Sequence, residues 1–380
     1  MWTWNDIETD WLLPGSPAPA DPRFTNRVVL SHSHAEVVEA FDVVEGHFGR
    51  GWIEERRQER RFIGILEVVM TGSLLQALRN VRQGQKLVAK LRACDVAAQS
   101  EAAALYLIRH SQQGLEIEYE PEVTIGSRTA VPDFRLRSSQ SEQWTYLEVA
   151  SPQSSKDQQH LRKILDRLAT TRLVTDDPVA LEIELHRIPT EVEVDGLEQR
   201  LQSPSRPNED IEEALPSGLG RMSMTLGNAD EPGARTSSAP AIFATSIVMV
   251  DGIVRGRSTV TISYSDPRSE RFLRHKARQL PDDAPGLVML DVGRASGGSR
   301  EWQSAMSSRL GRNLHTRVSG VCLFERFTTV TDGLEWGLAA SYTPNDNARL
   351  NAPAWLCESL RSWPSMQHVL MGKTRPKASE

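Results

Sequence analysis

AVPDFRLRSSQSEQWTYLEVASP, residues 130–152, decides how this chain is read. Two strand-like runs flank the polar turn SSQSEQ, which is short enough for a hairpin. Side chains alternate faces along a strand. Val131, Asp133, Arg135 and Arg137 therefore share one face of the first strand, with Phe134 and Leu136 on the other. In the second strand Trp144, Tyr146, Glu148 and Ala150 share a face, while Leu147 and Val149 point into the core. Pairing these strands brings Asp133 and Glu148 together on one wet face. Two carboxylates and a backbone carbonyl form a hard oxygen site that favours Mg²⁺ or Mn²⁺. Arginines on the same face suit a phosphate. A plain hairpin with two solvated acids is the alternative.

The flanking sequence extends the pattern. AAQSEAAALYLIRHSQQ reads as a helix ending near Gly114, LEIEYEPEV as a strand, and SSKDQQHLRKILDRLATT as a second helix. Residues three and four apart are neighbours on a helix. Glu101 therefore lies in line with Ala98, Leu105 and Ile108, on the apolar stripe. An acid facing the core needs a partner. An arginine pair or a peripheral position is the bland explanation.

This order of helix, strand, hairpin and helix, with Val131-Pro132-Asp133-Phe134 followed by Leu147-Glu148-Val149, resembles the core of the PD-(D/E)XK nuclease superfamily. The resemblance covers roughly a fifth of the chain. It implies a restriction-endonuclease-like mixed sheet flanked by helices. It also implies a metal site of Asp133 and Glu148, completed by an acid from the preceding helix, here Glu101. The family pattern continues after the glutamate with x-Lys, whereas this chain has Val149-Ala150. Alanine can neither position a water nor offset phosphate charge. Either the cation comes from elsewhere or the chemistry is lost. Some family members recruit a lysine from the following helix. There Lys156, His160, Lys163 and Arg167 form a basic stripe beside Leu161, Ile164, Leu165 and Leu168. Lys156 and Lys163 are the candidates, and an ordinary solvated basic face is the alternative.

The remaining chain sets the context. A length of 380 residues suggests about two domains or one elaborated body. The net charge of -6 gives no global sign of nucleic acid. Between Arg50 and Arg92, however, ten Lys/Arg stand against four Asp/Glu. Cys94, Cys322 and Cys357 fit neither a disulfide framework nor a zinc spacing, which favours a reducing cytoplasm. The start lacks the basic region of a secretory signal, and no run of about 18 apolar residues predicts a membrane span.

The expected architecture is α/β in four segments. Residues 1–96 form an N-terminal arm and helical region, with a stop at Gly46 and a break near Gly72. The arm holds Trp2, Trp4 and Trp11, too many aromatics for a free tail. Residues 97–202 form the nuclease-like core. Residues 203–240, rich in Pro, Ser, Gly and acids, read as an insert or linker, with some order around Leu219 to Leu226. Residues 241–380 read as a C-terminal α/β extension of alternating strands and helices. It includes a basic helix, DPRSERFLRHKARQL. Arg274 and Lys276 on that helix, with Arg135 and Arg137, are the candidate nucleic-acid contacts.

Three functions follow. The first is an Mg²⁺- or Mn²⁺-dependent endonuclease acting on duplex DNA. The second is a nuclease-like fold that no longer cuts and binds nucleic acid or a protein partner, which Ala150 favours. The third is an unrelated α/β enzyme. A homodimer is open under each.

Overall fold

The computed structural model describes residues 1–13, 29–59, 61–110, 112, 114–152, 156–170, 179–202, 211–226, 241–250, 253–263, 268–294, 298–311, 315–330 and 334–364. The proline cluster at Pro14, Pro17, Pro19 and Pro22, most of the 203–240 segment and the C-terminal stretch GKTRPKASE lie outside the described residues. In chain order, helices α1 (Trp4–Ile7), α2 (His34–Phe48), α3 (Arg50–Glu59), α4 (Arg61–Ala77), α5 (Gly84–Arg92) and α6 (Val96–Arg109) come first. Strands β1 (Leu115–Tyr119), β2 (Val123–Ile125), β3 (Arg128–Ala130), β4 (Phe134–Ser138) and β5 (Thr145–Ala150) follow. Then come α7 (Lys156–Thr170), β6 (Val179–Leu185), α8 (Glu191–Gln202), β7 (Ile211–Ala214), β8 (Gly220–Leu226), β9 (Ala241–Val250) and β10 (Ile253–Ser263). The chain continues with α9 (Ser269–Ala277), β11 (Gly286–Asp291), α10 (Gly298–Leu310), β12 (Gly320–Val330), β13 (Leu334–Pro344) and α11 (Ala354–Arg361).

These elements divide into two compact units. The first takes its residues from 1–152, 268–293 and 303–380, the second from 153–267 and 294–302. The units cut across the four segments drawn from sequence. The 97–202 segment contributes to both, because β5 pairs in parallel with β11, far downstream, rather than with β6.

The first unit is built on a six-stranded mixed sheet in the order β1-β4-β5-β11-β12-β13. Its centre, β5, β11 and β12, is parallel, and antiparallel pairs close both ends. One face carries Phe134, Leu136, Leu147, Val149, Leu287, Met289, Cys322 and Phe324 into the main core with the helices. There α6 lies on β5 and β11, presenting Ala98, Ala102, Leu105 and Ile108, all buried. Asp95 caps α6 by accepting the N–H groups of Ala97 at 2.7 Å and Ala98 at 3.1 Å. The N-terminal arm packs as its tryptophans suggested. Trp2 and Trp11 are buried against Phe41, and Trp4 stacks on His34.

Two helix boundaries differ from expectation. The α2 helix runs through Gly46 to Phe48 and is capped by Gly49, whose φ of 84° is a conformation that favours glycine. The α4 helix is unbroken at Gly72. A Cβ there would lie 2.6 Å from Ala40 Cα, so this glycine serves close approach of α4 to α2. The strand β13 alternates burial at Leu334, Trp336 and Leu338. The second unit holds a five-stranded sheet, β7-β8-β6-β10-β9. Its core gathers Leu161, Ile164, Leu165 and Leu168 of α7 with Leu181, Ile183, Val260 and Ile262. Both β7 and β8 come from the segment read as an insert. No helix among the described residues is long and apolar enough to cross a membrane.

A buried polar knot ties α6 to the sheet. Asp291, 1% exposed at the end of β11, accepts Ser100 Oγ at 2.6 Å and Arg326 Nη2 at 2.9 Å. Arg326 Nη1 also donates to Gln99 Oε1 at 3.0 Å. Removing one partner of such a pair leaves an uncompensated charge. Asp291→Ala is expected to destabilise the first unit by about 3–5 kcal/mol, seen as an earlier unfolding transition in urea. An unmoved transition would show that this knot contributes nothing to stability.

Candidate active site

The hairpin predicted from sequence is present. The β4 and β5 strands pair antiparallel, with Phe134 opposite Leu147. Asp133 sits just before β4, where regular pairing has ended, and its Oδ2 accepts the Val149 N–H of β5 at 2.6 Å. Its carbonyl accepts the Glu120 N–H at 2.9 Å, which anchors it to the end of β1. Asp133 is thus held from both sides by backbone, and its carboxylate lies beside Glu148.

The face carrying Glu148 is not wet. The α9 helix covers it, packing on β5 and β11, and Glu148 is 0% exposed. The group that meets it is Lys276. Its Nζ donates to Glu148 Oε2 at 2.7 Å and reaches Asp133 Oδ2 at 3.4 Å. Burial pushes the Glu148 carboxyl up to about 8, and the Asp133 charge adds to that shift, while Lys276 opposes it. Lys276 itself is held above its ordinary range; burial opposes the shift, but the charges of Asp133 and Glu148 outweigh it. For Glu148 burial and the neighbouring carboxylates outweigh the salt bridge. Its Oε1 is buried without a hydrogen-bond partner.

Glu101 reaches the same neighbourhood from α6. Its Oε2 accepts the Tyr119 hydroxyl at 2.8 Å, and the Tyr119 hydroxyl oxygen in turn accepts Lys90 Nζ at 2.7 Å. Lys90 continues to Glu120 Oε1 at 2.8 Å. Burial, and then the Asp133 charge, raise the Glu101 carboxyl. An acid on the apolar stripe thus has its partner, a buried tyrosine. The shifts of Glu101 and Glu148 both include repulsion from Asp133, as expected where three carboxylates share one region.

Other candidates fare differently. Arg135 donates twice to one oxygen, Oε2, of Glu118, at 2.5 and 2.8 Å, and Arg137 twice to Oε2 of Glu116, at 2.6 and 2.8 Å. Both guanidiniums lie over the Trp144 ring, 4.5 Å from its centroid. Their charge is already matched on the sheet. Lys163 is exposed on α7, which packs on β9 and β10 of the second unit. The Lys156 side chain lies outside the described residues. Arg167, on the same helix, pairs with Asp195 at 2.5 Å and Glu198 at 2.6 Å of α8. Arg274 is exposed on α9, turned to a different face from Lys276.

Sequence groups Lys276 with Arg274 as a phosphate contact, yet helical spacing separates them. Lys276 is three residues from Leu273 and four from Leu280, both fully buried. A lysine on an apolar stripe is the same anomaly as Glu101.

The residues present fit a hard divalent cation. All the candidate ligands offer carboxylate oxygen, and Glu148 Oε1 lacks a partner. Among the described residues no group of three or more His, Cys, Asp and Glu side chains is gathered as a cage. Mg²⁺ commonly takes one or two carboxylates and fills its other positions with water and phosphate. Compared with known protein-family models and with curated proteins, the chain matches none.

The buried glutamate sets a pH dependence. Its unfolded value is 4.5 and its folded value about 8. Between these values the folded carboxyl keeps a proton that the unfolded one releases, so rising pH favours unfolding. In the metal-free protein, stability is expected to fall across this window and to level off above it. Glu148→Gln should flatten that decline, as measured by urea midpoints in chelator. A parent protein whose midpoint rises over the same window would contradict the assigned shift.

Proposed function

We propose that this protein is a metal-dependent nuclease hydrolysing phosphodiester bonds of DNA, built on a restriction-endonuclease-like core of the PD-(D/E)XK kind. The observation that supports it most is Lys276 Nζ at 2.7 Å from Glu148 and 3.4 Å from Asp133. The family's motif lysine is replaced here by Ala150, and α9 supplies an amine beside the same carboxylate.

In this reading Asp133 and Glu148 hold Mg²⁺ or Mn²⁺, with Glu101 beside them. When bound, such a cation polarises the phosphodiester and lowers the pKa of a bound water. The chain's own residues do the rest. The Val149 N–H fixes the Asp133 carboxylate, and the Tyr119 hydroxyl fixes Glu101. Lys276, held cationic by its neighbours, offsets charge gathering on the scissile phosphate and orients the attacking water. Glu148 must lose its proton to serve as a ligand, so metal affinity rises with pH toward about 8.

A second reading rests on the same contact. Lys276 already neutralises the carboxylates, as a structural cation does in a fold that binds without cutting. Nicking of supercoiled plasmid in Mg²⁺ or Mn²⁺ separates the two. The nuclease reading expects metal-dependent nicking that falls about 10²-fold or more in Lys276→Met, the scale of losing one electrostatic stabiliser. Lys163→Ala should leave the rate unchanged, and an unaltered circular dichroism spectrum would show that Lys276→Met still folds. A parent protein that binds duplex but never nicks, with either metal, would favour the binding reading.

A further inference from the structure

A cavity of about 860 Å³ lies beside α9 in the first unit. Arg271 and Arg274 of α9 and Arg278 at its C-cap line it, with Arg128 of β3, Arg309 of α10 and Arg317 ahead of β12. The first three fall three and four residues apart, on one helical face. Among the described residues none of these three has an acidic partner within ion-pair distance. Arg317 is matched by Asp282 at 2.5 Å, and Arg128 donates to the Arg278 carbonyl. His315 also lines the cavity, and burial together with the charges of Arg309 and Arg274 keeps its imidazole below the usual range. The arrangement is repulsive: like charges at this helical spacing destabilise. A bound polyanion would remove that repulsion.

We infer that this arginine-lined cavity is a binding site for clustered phosphates, two or more held close together as in a nucleoside polyphosphate or a phosphorylated strand end. Guanidinium forks bind phosphate oxygens in pairs, and six of them from four parts of the chain surround one space. The volume falls within the roughly 300–1,000 Å³ usual for small-ligand sites, and it exceeds what a single phosphate needs. A concave site of this size differs from the open surface that tracks a duplex backbone. It is also separate from the carboxylates, since Lys276 leaves the opposite side of α9 to meet Glu148. A ligand in the cavity would hold down the helix that delivers Lys276. The inference does not depend on the chain being a nuclease, because its readout is binding alone.

Calorimetry with inorganic tripolyphosphate, at physiological salt and without divalent metal, tests it. The full chain should bind one equivalent saturably. Arg271→Ser with Arg274→Ser, both exposed positions, should weaken binding by about tenfold or more, as loss of two charge-assisted contacts implies. Arg79→Ser with Arg92→Ser changes the charge equally elsewhere and should leave binding intact. Competition by ATP would assign the phosphates to a nucleotide. Competition only by a short strand bearing a 5′-phosphate would assign them to a nucleic-acid end. Absence of saturable binding, or equal weakening in both double variants, would overturn the site and reduce it to diffuse attraction.

Discussion

A buried lysine against two carboxylates is the constraint on which the rest of the site depends. Removing Lys276 and Glu148 from water is costly, and their attraction offsets that cost only where the geometry is close. At 2.7 Å it is close, and a single helix must be held in place to keep it so. The Leu273, Ala277 and Leu280 side chains bury beside Lys276 and press α9 onto the sheet. The same helix face that packs the core thus carries the amine. Glu148 is left half satisfied, with one oxygen bonded and one orphaned. A fold optimised for stability alone would not keep such a group, since an unpaired buried oxygen is a continuing penalty. Departures of this kind concentrate at functional sites.

What could be read in the sequence was what lies close along the chain. Asp133 and Glu148 belong to one hairpin, and strand alternation with a short turn is enough to place them together. Glu101 stood out because a helix repeats every three to four residues. Lys276 lies 128 positions from Glu148, and no local pattern couples them. They meet because β5 pairs with β11, placing the helix before β11 over β5. That pairing also draws the first unit from widely separated stretches of the chain. Arg135 and Arg137 illustrate the converse. They look free in sequence, but the register of β1 against β4 sets Glu118 opposite Arg135 and Glu116 opposite Arg137. Both cations are matched before any ligand arrives.

Gly72 and β13 show a different kind of illegibility. A glycine in a helical run reads as a break, yet here it removes a side chain where α4 meets the backbone of Ala40. Nothing local distinguishes those uses. The β13 strand begins with clean alternation, but Gly337 and the small residues Ala339, Ala340 and Ser341 dilute its hydrophobic signal. Its partner supplies the missing specification, since β12 pairs with it along its full length.

Ala150 takes on another meaning once Lys276 is in place. It shares the face of Glu148 and lies opposite Leu290 of β11, beneath the side of the sheet that α9 covers. A lysine at position 150 would bring a second ammonium to a carboxylate pair already engaged by the first. Two like charges in a desolvated space repel strongly. A small side chain at 150 and a lysine at 276 are therefore complementary choices. The alanine at 150 thus follows locally from the amine that α9 brings to the same carboxylates.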